Sequence, residues 1–145
     1  MATAARIVVL WDDPAMTSVR LVVEFSQRDV SVSGTRDELA GLAAIVASGS
    51  GKVELPPKAA SMAGASAAHT IRIVVGDEAG MAITRDGDAL VITGDPAALN
   101  VFSGNIKKFA DTPEWGSHIH VEHYEGHPHI RAASIPAVIS ATDPA

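Results

Sequence analysis

Apolar positions along the chain recur with two periods. Residues 6–10 (RIVVL) and 19–25 (VRLVVEF) are short runs rich in β-branched side chains, and 30–34 (VSVSG) alternates apolar and polar before a glycine, so all three read as strands. The period then lengthens. Leu39, Leu42 and Val46 fall at i, i+3 and i+7, and Thr35 with Glu38 has the spacing of a capping box, which predicts a helix from residue 35 onward. The glycines of SGSGK (48–52) read as the end of that helix rather than a phosphate loop, because the full P-loop pattern is not met. Residues 52–55 (KVEL) read as a short strand. Residues 56–69 follow as a Pro/Ala/Ser/Gly linker without periodicity.

Beyond the linker the same order returns. Residues 71–75 (IRIVV) read as a strand, and 81–94 as a hairpin in which Asp86-Gly87 is expected to form a type I′ turn. Asp95 and Pro96 open a second helix with the stripe Leu99, Phe102, Ile106 and Phe109. Residues 117–124 close the unit as a strand, and 135–140 (IPAVIS) are expected to add an edge strand. An offset of 60 lays one half over the other without a gap from hairpin to helix: Val30 and Val32 meet Leu90 and Ile92, Gly34 meets Gly94, and the caps Thr35 and Asp95 coincide. The expected fold is α+β. Two similar β-β-β-α-β units (about 6–55 and 70–140) form antiparallel sheet with two helices packed on one face, and the halves dock as one domain over 1–145.

Composition narrows the function. The chain is 47% hydrophobic but only 4% aromatic, so its core rests on Val, Ile and Leu. It has no cysteine, which excludes disulfides, zinc-thiolate sites and thiol nucleophiles. A net charge of −6 argues against nucleic-acid binding, which draws its affinity from Lys and Arg, and suits a basic protein partner. No apolar run approaches the roughly 20 residues that span a bilayer, so a cytoplasmic protein without a membrane partner is expected.

The densest chemistry is GSHIHVEHYEGHPH (116–129), which holds five of the six histidines. If 117–124 is a strand, its side chains alternate: His118, His120, Glu122 and Tyr124 share one face, and Ile119, Val121 and His123 the other. Two imidazoles spaced two apart can converge on a cation, so His118 and His120 with Glu122 or Glu125 form a candidate metal set, and the spacing matches the first metal motif of cupins. The second motif that a cupin needs is missing, since no histidine follows His129. The alternative is a polar recognition face of His118, His120, Glu122, Tyr124 and Glu125, with Trp115 as a candidate interface anchor. No catalytic constellation stands out, and no serine sits in a nucleophile elbow.

The run LVITGDPAALNVFSGNIKKFA (90–110), followed by GSHIHVEHYEGHPHI (116–130) and ASIPAVIS (133–140), resembles the immunity protein 32 group of bacterial polymorphic-toxin systems. The shared pattern is a strand ending in a hydroxyl residue and glycine, a capped helix, a strand with alternating histidine, and a closing Ser-x-Pro segment. The resemblance implies a non-catalytic protein without cofactor that binds and neutralises a cognate toxin in the cytoplasm of the producing cell. Several such toxins are nucleases with basic clefts, towards which an acidic inhibitor is steered. A homodimer through the edge at 135–140 is a further expectation.

Overall fold

A computed structural model describes residues 21–55, 66–111, 118–124 and 129–142. The strand expected at 6–10, most of the linker, Trp115, Glu125 and His127 lie outside them. The elements are β1 (Val22–Phe25), β2 (Val30–Gly34), α1 (Arg36–Ser48), β3 (Ser50–Glu54), β4 (Ser66–Ala67), β5 (Thr70–Val75), β6 (Met81–Asp86), β7 (Ala89–Gly94), α2 (Pro96–Ala110), β8 (His118–Val121) and β9 (Ala137–Ala141). The described residues form an α+β fold of two helices and two mixed sheets.

Both helices start as their sequences dictate. The Thr35 hydroxyl accepts from the Glu38 N–H while the Glu38 carboxylate accepts from the Thr35 N–H, closing the capping box. Asp95 accepts from the Ala98 N–H at 3.0 Å, with Pro96 in the first turn, where its missing N–H costs nothing. Helix α1 stops at Gly49, whose φ of 76° is the left-handed conformation glycine adopts without penalty. The helices run antiparallel against each other. Arg36, at the start of α1, donates to the carbonyls of Ala110 and Asp111 at the end of α2, and Ser103 donates to the Ala43 carbonyl midway.

The sheets share one plan. One runs β4-β1-β2-β9-β8 and the other β3-β5-β7-β6. Hairpin β1–β2 sets Val23 opposite Val32; hairpin β6–β7 sets Ile83 opposite Ile92. Each β1–β2 pair, advanced by 60, falls on a β6–β7 pair. A parallel strand then flanks each hairpin, β9 beside β2 and β5 beside β7, so the sheets are mixed rather than wholly antiparallel. The strand after each helix crosses to the other sheet: β3 pairs with β5, and β8 with β9. Alternating core-facing residues of both sheets, including Val23, Val32, Ile71, Ile92 and Ile139, join Leu39, Leu42, Leu99 and Ile106 of the helices in one continuous apolar cluster.

Three local expectations need correction. Segment 135–140 does not make an edge strand. Its ordered part, β9, lies between β2 and β8 with both sides paired, and Ala137, Ile139 and Ala141 are buried, so no homodimer can form along it. The hairpin turn centres on Gly87-Asp88, because Asp86 pairs with Ala89; only Gly87 has a positive φ (63°), which gives the φ signs of type II′ rather than I′. The end of the linker is ordered. Ser66–Ala67 pairs with β1, and Ala68 is buried and donates to the Val23 carbonyl.

Candidate binding site

Strand β8 places the histidines as their parity requires. His118 stands opposite Ser140 and His120 opposite Val138, both exposed, with their rings edge to face at a centroid separation of 5.0 Å. Val121 is buried and Ile119 packs against the core cluster from the other face. Glu122 and Tyr124 continue the exposed side just beyond the strand, with Tyr124 61% exposed. His123 is half-buried, and its Nδ1 lies 2.7 Å from the Ile130 carbonyl, which holds the chain after β8 against the segment leading to β9. His118, His120, Glu122 and Tyr124 thus come together along one strand, while Trp115 and Glu125 lie outside the described residues. Among the described residues no group of three or more His, Asp or Glu side chains is arranged to hold a metal ion.

The sheet edges are treated differently from one another. Residues 129–135 run along β6 and seal its outer side: Met81 donates to the His129 carbonyl, Arg131 to the Met81 carbonyl, and Ile135 to the Ile83 carbonyl, while the Ile83 N–H is taken by the Ser134 hydroxyl. Arg131 pins that segment through its guanidinium, which donates to the carbonyls of Glu78, Ala79 and Gly80. The outer side of β1 is covered by β4. Strand β3 ends its sheet with Lys52 and Glu54 paired at 3.1 Å, the sort of charge that guards an edge. Strand β8 ends the other sheet and, among the described residues, has β9 alone as a partner.

Beside β8 lies a groove of about 430 Å³ floored by apolar side chains of α2 and β8, including Phe102, Ile119 and Val121. Val101, Asn105 and Lys108 of α2 line its far wall, and His120 and His129 line it from the other side. Sequence reasoning missed this wall. Its one signal was Val101, a β-branched residue off the stripe Leu99, Phe102, Ile106 and Phe109, which the structure leaves 37% exposed.

Among the described residues, β8 thus ends its sheet with a polar outer face and an apolar groove alongside. Residues 89–141, from β7 to β9, match the model of the family Immunity protein 32. No curated protein and no solved structure matches the chain. Among the described residues no helix is long and apolar enough to cross a membrane.

Proposed function

We propose that this chain is an immunity protein that neutralises a cognate bacterial toxin by binding it directly, without catalysis, in the cytoplasm of the producing cell. The carrying observation is the family match over residues 89–141, because that stretch contains β8, the histidine face and both walls of the groove. The contact residues in this reading are His118, His120, Glu122 and Tyr124, with Glu125 and Trp115 at the flanks. An exposed Tyr beside imidazoles and a carboxylate offers contact area and oriented hydrogen bonds. The net charge of −6 suits a basic toxin, such as a nuclease, approached by electrostatic steering. We also read the two halves as a structural repeat docked in one domain; the matching hairpin registers support this.

Immunity genes lie next to the genes of their toxins, so the test is co-production with the polypeptide encoded by the adjacent reading frame. The expected result is a stable stoichiometric complex and survival of cells that the polypeptide alone kills. Absence of both overturns the reading.

A further inference from the structure

We infer that the two halves of the chain are reciprocal binding partners: each completes the other's sheet, and the pair stays assembled without the covalent connection at 56–65. This pairing is independent of what the protein binds. Three observations carry it. First, neither sheet belongs to one half. In one sheet β1 and β2 of the first half meet β4, β8 and β9 of the second; in the other, β3 of the first half joins β5, β6 and β7. The exchange is reciprocal. Strand β9 lies along β2 with Ala137 opposite Val30 and Ala141 opposite Gly34, and β3 lies along β5 with Ser50 opposite Val74 and Glu54 opposite Thr70. Second, the seam continues outside the ladders. The N–H groups of Val30, Leu55, Ala68 and Thr142 donate across it to the carbonyls of Pro136, His69, Val23 and Gly34. The helix contacts made by Arg36 and Ser103 cross the same seam. Third, the core is shared, since Val23, Val32 and Leu39 of the first half pack in one cluster with Ile71, Ile92 and Ile139 of the second. Pulling the halves apart bares one side of β2, β5 and β9, leaves β3 with no described strand beside it, and splits that cluster. Unpaired backbone groups and two small divided cores are both costly.

The histidine face depends on this exchange. Within residues 89–141, the segment that matches the family, the described ladder is that of β8 with β9. Strand β9 then rests on β2, and β7 on β5 and β6, all of which precede residue 89. That segment is therefore not a unit by itself, and the strand bearing His118 and His120 is mounted on the first half.

The experiment uses the full chain carrying a protease recognition sequence within residues 56–65, compared before and after cleavage. The cleaved protein is expected to elute at the position of the uncut one on a native column while running as two fragments on a denaturing gel. Its thermal midpoint should fall by about 5 °C for each tenfold dilution, because unfolding now separates two chains, while that of the uncut protein stays put. Fragments that elute apart, a cooperative transition lost on cleavage, or a midpoint indifferent to dilution overturns the inference. A second measurement needs no insertion. In the native chain the slowest-exchanging amides of β2, β3, β5 and β9 should converge on one opening free energy as urea is raised. If β2 and β3 open at one value and β5 and β9 at another, the halves unfold independently and are not reciprocal partners.

Discussion

The Ser103 hydroxyl donates to the Ala43 carbonyl at 2.6 Å, and the two residues are 60 positions apart, the same offset that superposes the hairpins. Equivalent points of the two helices therefore meet each other where the helices cross. Only small side chains allow so close an approach, and the carbonyl gains a second donor beyond its own helix. Ser103→Ala removes one buried hydrogen bond but opens little space, so a loss of about 1 kcal/mol is expected. Ser103→Leu forces extra methylene volume into the crossing and is expected to cost about 1–3 kcal/mol. Urea unfolding of the three proteins checks the order; a Leu variant as stable as the Ala variant would contradict the tight crossing.

Much of this fold is legible in the sequence, for a local reason. Caps, hairpins and helical stripes depend on residues a few positions apart, so Thr35–Glu38, Asp95–Pro96 and the alternation of His118 to Val121 all state their structure directly. Alternation names the buried face of a strand but not its neighbour. Nothing in KVEL or SHIHV says that β3 and β8 cross into the other sheet, nor in IPAVIS that both sides of β9 are paired. The groove was hidden for the same reason. Val101 reads as an ordinary exposed helix residue until β8 is placed beside α2.

Gly34 and Gly94 end equivalent strands, yet alanine should act differently at the two positions. At Gly94 an added Cβ lies 2.8 Å from the Met81 Cβ and 3.2 Å from Leu99 Cγ and Cδ2. The Met81 Cβ is fixed to the backbone of the paired strand, so β6 and β7 must separate. At Gly34 the closest atom is Leu21 Cδ2 at 2.6 Å, the far end of a flexible side chain that can turn away. Gly94→Ala is expected to cost about 1–3 kcal/mol and Gly34→Ala less. Thermal unfolding of both variants checks the order.

Arg131 acts as a clasp. Its guanidinium satisfies three carbonyls of the β5–β6 connection while its own N–H bonds to Met81, so one side chain fixes the segment that seals β6. Arg131→Lys keeps the charge but cannot reproduce the planar fork. Both Arg131→Lys and Arg131→Ala should loosen residues 129–135, seen as faster amide exchange at Met81 and Ile83, with a stability loss of about 1–3 kcal/mol for Arg131→Ala. Exposing the β6 edge should also raise self-association, measurable by light scattering.

The histidine face should separate binding from folding. His118 and His120 are exposed, touch each other edge to face, and face away from the apolar cluster that holds β8. Removing both rings therefore takes little from the folded state, and the thermal midpoint of the His118→Ala/His120→Ala double variant should stay within about 2 °C of the native protein, as for a surface change within ~0.5 kcal/mol. Affinity for the polypeptide encoded by the adjacent reading frame should nevertheless fall, because these two rings are among the contact residues proposed for the toxin. Calorimetric titration with that polypeptide reads the affinity and a thermal melt the fold. A double variant that binds as tightly as the native protein removes this face from the interface, whereas a large drop in its thermal midpoint assigns the rings a structural role that their exposure does not suggest.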